Sequence, residues 1–106
     1  MSEDPPGYAL DQAIQSTLHQ DWYGEFTNVY DALEGWFRDS EEWPENLEPI
    51  VADIDLLFAT TASPTERAAR WPDSPLNETT IDDVLTAMRK RAVDGLAGNP
   101  EPMRAT

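Results

Sequence analysis

The sequence predicts a single small all-α bundle of four to five helices, and three observations predict it. The chain has 106 residues, 40% hydrophobic and 26% charged, which suits one core and is too apolar for disorder. Apolar residues recur at three- and four-residue spacing along most of its length, and no alternating strand pattern with a hairpin turn interrupts them. Breaks bearing Pro, Gly and Asn divide these runs into segments of helical length. The domain is expected over 9–97, between a loose N-terminal tail, 1–8, and a loose C-terminal tail, 98–106.

The first helix is expected from Ala9 to Trp22, where Leu10, Ile14, Leu18 and Trp22 form a four-residue stripe that Gly24 can stop. The second runs from Val29 to Arg38 behind the cap residue Asn28, with Val29, Ala32, Leu33, Trp36 and Phe37 on one side. The third begins near Pro44 or Asn46 and aligns Leu47, Ile50, Val51, Ile54, Leu57 and Phe58; it tolerates Pro49 only in its first turn, because proline lacks the N–H that an interior position needs. Ser63-Pro64-Thr65-Glu66 combines a cap, a first-position proline and a capping-box glutamate, opening a short helix to about Arg70 that Trp71 to Pro75 ends. The last helix runs from Thr80 to about Leu96 on Ile81, Val84, Leu85, Met88, Ala92 and Leu96, and Gly98 closes it. Asp82 and Asp83 near its start, and Arg89, Lys90 and Arg91 towards its end, suit the helix dipole.

Charge narrows the function. The chain carries 21 acids against 7 Lys and Arg, a formal net charge of -14. A surface that negative repels phosphate backbones, so direct nucleic-acid binding is disfavoured. The absence of cysteine excludes a disulfide framework, a Cys-type zinc site and thiol catalysis. The N-terminus lacks the basic patch and apolar run of a signal peptide, and no apolar stretch is long enough to span a bilayer, so a cytoplasmic protein is expected. Residues 1–60 hold fourteen of the acids against the lone Arg38, whereas the rest balances seven acids with six bases. Solubility explains such an acidic front half; a surface shaped for a cationic partner explains it as well.

His19-Gln20-Asp21-Trp22 is the densest polar and aromatic cluster. As a metal site it offers one histidine where transition metals want several N or S ligands. As an acid–base pair, His19 and Asp21 stand two residues apart on a helix and point about 200° apart. The preferred reading is structural: Asp21 falls on the side of Leu10 and Ile14 at a helix C-terminus, where a carboxylate needs donors, so the tetrad ties the first helix to the second. The acidic arc Asp39, Glu41, Glu42, Glu45 and Glu48 surrounds Trp43 in the connection between helices two and three. It reads either as a solvated loop with a tryptophan folded back on the core, or as an aromatic anchor ringed by carboxylates that a basic protein surface would recognise. Asp53 and Asp55 flank the third helix's stripe on opposite sides, as solvated neighbours of that arc and not as a metal clamp. Arg89-Lys90-Arg91 is spread around its helix, and no phosphate loop, nucleophile elbow or dinucleotide fingerprint is present. No catalytic residue, cofactor or metal is expected.

Leu18-His19-Gln20-Asp21-Trp22 after an N-terminal helix, then Val29-Tyr30-Asp31-Ala32-Leu33 with Trp36-Phe37, then the Leu47 to Phe58 helix, resembles the small helical immunity proteins of bacterial contact-dependent growth inhibition systems. In that family a His-Gln-Asp-Trp/Tyr element commonly follows the first helix. The resemblance extends over Leu10 to Leu96, with the tetrad as its one sharp motif, and the chain departs from typical members in the acidic 39–48 connection and the Trp71 to Pro75 break. It implies a cytosolic protein that binds the toxic C-terminal domain of a cognate effector, often a nuclease, and blocks it as a 1:1 complex. The charge argument reaches the same class separately, because an enzyme acting on RNA or DNA presents a basic cleft that an acidic domain can cover. The expected toxin-binding residues are Asp39, Glu41, Glu42, Trp43, Glu45 and Glu48, with Asp53 and Asp55 beside them.

Two other classes remain open. An acidic interaction module, such as a nucleic-acid mimic acting on other basic proteins, shares the charge but predicts several targets. A small helical enzyme or metal-binding protein would depend on His19.

Overall fold

The apolar stripes wind into five helices among the residues that the computed structural model describes, which are 7–17, 29–40, 44–72, 74 and 76–98, with backbone alone at 40 and 44–46. They are α1 (Tyr8–Thr17), α2 (Val29–Ser40), α3 (Pro44–Thr60), α4 (Pro64–Ala68) and α5 (Ile81–Leu96), and no strand occurs among the described residues. The fold is the all-α bundle that the spacing predicts.

Helices α3 and α5 form the central pair. They run antiparallel: Leu47, early in α3, lies against Gly95, late in α5, while Asp55 further along α3 bonds Arg89 further back in α5. Helix α1 lies on α3, α2 contacts α1, α3 and α5, and the short α4 lies on α5. Leu10, Ala13 and Ile14 of α1, Ala32, Leu33 and Phe37 of α2, Leu47, Ile50, Ile54 and Leu57 of α3, and Ile81, Val84, Leu85, Met88 and Ala92 of α5 make the core, with Trp71 and Leu76 from the α4–α5 connection. Each helix buries one arc, as the 3.6-residue period requires.

The boundaries carry three corrections. Helix α1 starts at Tyr8, one residue earlier than expected; the segment 18–28, with Leu18, Trp22 and Gly24, lies outside the described residues. Pro49 lies inside α3, beyond its first turn. Pro49 itself is exposed, and Pro44 supplies the helical start. The acidic arc is also less of a loop than expected: Asp39 belongs to the last turn of α2, and Glu45 and Glu48 belong to α3.

The cap at α4 forms as the sequence predicts, but the return bond of the capping box reaches Ala62, one residue before the cap residue Ser63. Ser63 Oγ accepts from the Glu66 N–H at 3.3 Å, and Glu66 Oε2 accepts from the Ala62 N–H at 3.2 Å. At α5 the helix begins without a side-chain bond from Thr80; Asn77 Oδ1 instead accepts from the N–H groups of Thr79 and Thr80. Gly98 ends that helix at φ +83°, a left-handed conformation that glycine adopts without strain.

Candidate functional site

The bases come first, because they decide which acids are left over. Arg91, on the inward arc of α5, is buried and donates from Nε and Nη2 to Glu34 of α2 at 2.8 and 3.2 Å. Arg38 bonds the same carboxylate at 3.1 Å, one turn along α2. Arg67 of α4, also buried, holds both oxygens of Asp82 at 2.6 and 2.8 Å, donates to Thr61, and lays its guanidinium over the Phe58 ring at 4.6 Å. Arg70 grips Asp11 of α1 through two bonds of 2.8 and 2.9 Å, and the Trp71 indole N–H donates to the same carboxylate at 2.9 Å. Arg89 holds Asp55 at 2.7 Å, and Lys90 holds Asp94 at 2.8 Å. Every Lys and Arg among the described residues is therefore bonded to a carboxylate of the chain.

This corrects the expectation that Arg89, Lys90 and Arg91 chiefly answer the dipole of α5. The three residues point to three sides of the helix, and each finds a different carboxylate there. The fork of an arginine matches a carboxylate in two-bond geometry, which is stronger and more directional than an interaction with a diffuse dipole.

The acids divide accordingly. Asp39, at the end of α2, and Glu48, in the second turn of α3, are exposed and make no ion pair with any described residue. A carboxylate in the last turn of a helix opposes the dipole, so Asp39 sits where fold stability alone would favour a base. Asp53 is not a solvated flank. Its carboxylate accepts from the N–H groups of Gly7 at 3.3 Å and Leu10 at 3.1 Å, capping α1 from α3. Asp55 turns to the opposite side, as its spacing predicts, and meets Arg89. That hydrogen bond pulls the Asp55 carboxyl below its ordinary range and pushes the Arg89 guanidinium up. The side chain of Glu45, and Glu41, Glu42 and Trp43 altogether, lie outside the described residues, as do His19, Gln20, Asp21 and Trp22.

Comparison with family models, with curated proteins and with solved structures gives no match to this chain. Its chemistry has to be read from its own groups.

Among the described residues, no three His, Cys, Asp or Glu side chains converge as a metal site needs, and no helix is long and apolar enough to cross a membrane. A cleft of about 230 Å³ opens between α1 and α3, floored by Leu10, Leu56 and Leu57. Its polar groups are already committed: Asp53 to α1, Arg70 to Asp11, and the Thr60 hydroxyl to the Leu56 carbonyl. Burial and the nearby Asp83 raise the Tyr30 phenol, which keeps it protonated and leaves it no basic role at neutral pH.

Sequence reasoning missed Glu34, Arg67 and Asp11 as structural anchors. Arg91 was legible in part, because it falls beside Met88 and Ala92 on the inward arc, where a base must be paired if it is buried. Its partner, 57 residues away, carries no local signal.

Proposed function

We propose that this chain is a cytoplasmic immunity protein, which binds the basic toxic domain of a contact-dependent growth inhibition effector in a 1:1 complex and blocks it without chemistry of its own. One observation carries the reading. All the described bases are bonded within the fold, so the acid excess behind the net charge of -14 finds no spare base among the described residues and acts on what approaches from outside. Asp39 in the last turn of α2 opposes that helix's dipole, so its place there works against fold stability. A protein whose task is to attract a cationic surface gains orientation and association rate from such carboxylates. A nuclease presents that kind of surface, since its cleft must hold a polyanion.

Inhibition is then steric and electrostatic. An antidote must hold at low cellular concentration, which calls for nanomolar affinity, about -12 kcal/mol. An interface of ~800 Å² on each partner suffices, and a domain of this length supplies it from two helices and the α2–α3 corner. Aromatic residues there would anchor the contact, with Trp43 as the expected one.

The test is co-expression of the chain with the product of the adjoining reading frame. The expected results are rescue of cells that make that product, co-elution of the two proteins, and nanomolar binding by calorimetry. No rescue and no complex overturns the proposal. Capture of several unrelated DNA-binding proteins, with no dedicated partner, would replace it with a nucleic-acid mimic.

A further inference from the structure

The Asp55–Arg89 pair fixes which sides of α3 and α5 share an open face. Residues four and seven positions away on a helix return to the same side. Towards the N-terminal end of α3, those positions are Val51 and Glu48; towards the C-terminal end of α5, they are Val93 and Leu96. The antiparallel run of the two helices brings the four together, and the contact of Gly95 with Leu47 confirms the register. Val93 and Leu96 are 40% and 37% exposed, although Leu96 belongs by spacing to the stripe expected to be buried. Val51 is half-buried behind them, and Glu48 stands exposed at the rim with no ion pair to any described residue.

The electrostatics of this face are one-sided. Its base, Arg89, is bonded to Asp55. The last turn of α5 carries no basic residue, so the negative end of that helix dipole also opens beside Leu96. An apolar strip bordered by Glu48, which no described base pairs, and by the negative end of α5 complements a partner whose apolar side chains are set among Lys or Arg. A second copy of the chain fits poorly, since two bodies of net charge -14 would have to meet. The other exposed apolar residues near a cleft, Tyr8 and Leu56, lack this border, because the neighbouring Asp11, Asp53 and Arg70 are bonded to the fold.

We infer that the α3–α5 face centred on Val93 and Leu96, with Glu48 at its rim, is a docking surface for an amphipathic basic segment of a partner protein. This rests on the reading of the chain as a binder of a basic protein and states where that protein is held. The apolar strip supplies the lasting contact, and Glu48 with the dipole of α5 supplies its orientation. The surface thus continues from Glu48 of the acidic arc across α3 onto α5.

The experiment needs no natural partner. Isotope-labelled protein is titrated, at about 50 mM salt so that exposed charges are incompletely screened, with two synthetic peptides of equal positive charge, one an amphipathic Leu/Lys helix and the other built of Gly and Lys. The Leu/Lys peptide is expected to shift the amide resonances of Glu48, Val51, Val93 and Leu96 saturably, and V93S/L96S to weaken it at least about tenfold with the circular dichroism unchanged. The Gly/Lys peptide is expected to bind weakly and to ignore that double variant. Shifts centred on Tyr8 and Leu56, an unchanged affinity in V93S/L96S, or a dimer of the free chain that V93S/L96S dissociates would each overturn the inference. Failure of the immunity reading appears separately, as no rescue and no complex with the neighbouring gene product while the peptide result stands.

Discussion

The Glu34 carboxylate on α2 and the Arg91 guanidinium on α5 form a buried, two-bond ion pair at 2.8 and 3.2 Å, with side chains only 9% and 2% exposed. Arg91 also lies near the face of Phe37, its guanidinium carbon 5.7 Å from the ring centre. Two charges taken out of water are tolerable only together, because each cancels the other's desolvation. The pair therefore sets how α2 meets α5 more than it adds net stability.

Arg91→Ala should consequently cost about 3–5 kcal/mol, since it removes the two-bond partner of a carboxylate whose side chain is only 9% exposed. The double variant Glu34→Leu/Arg91→Met should recover most of that loss. Urea unfolding of the three proteins decides it, and a single-variant cost below about 1 kcal/mol would show that the pair is solvated.

Asp53 and Glu48 should separate into two phenotypes. Asp53→Ala removes the acceptor of the Gly7 and Leu10 N–H groups and should lower stability by about 0.5–2 kcal/mol, with little change in affinity for the proposed basic partner. A melt no lower than that of the wild type would contradict the cap.

Asp39→Lys/Glu48→Lys should leave stability unchanged or slightly raised, because neither acid has an ion pair with a described residue and a base suits the last turn of α2. It should slow association with the proposed basic partner strongly at low salt and much less at high salt, since steering by exposed charges is screened. Stopped-flow rates that do not depend on salt would rule out the electrostatic part of the mechanism.

The two left-handed glycines should differ. Gly98→Ala meets nothing within 4 Å and suffers only its φ of +83°, about 1–2 kcal/mol. Gly7→Ala has a similar φ of +85° and in addition sets its Cβ against the Arg70 guanidinium, which must shift to make room. Thermal melts should rank wild type, then Gly98→Ala, then Gly7→Ala.

Asp55 gives a pH test with a fixed sign. Its carboxyl titrates lower in the fold than its ordinary 3.8, because the Arg89 N–H groups bond the charged form. The stabilisation is therefore complete above the ordinary value and is lost as pH falls from there through the folded value. Asp55→Asn should be less stable than the wild type at neutral pH, and the gap should close in strong acid. A carboxyl resonance of Asp55 that titrates at or above 3.8 would refute the pair.

How far the sequence could be read shows in particular residues. The stripe of α3 from Leu47 to Leu57, the cap at Ser63, and the stop at Gly98 were all legible, because each depends on neighbours within one or two turns. Phe58 and Leu96 belong to the same stripes by spacing, yet both stand exposed at their edges. Spacing cannot tell whether another helix covers the margin of an arc. Asp53 and Asp55 were correctly set on opposite sides of α3, but what each side faces was not legible.

The amino-acid order alone determined that this protein is a helical bundle, where most of its turns begin, and that it carries far more acid than base. Those properties depend on local spacing and on composition. Only the tertiary structure decided which acids are neutralised. Asp11 meets Arg70, Glu34 meets Arg91 and Asp55 meets Arg89 across 59, 57 and 34 residues. Ion pairing depends on distance in space, which chain separation does not encode, and it leaves Asp39 and Glu48 without an ion pair among the described residues.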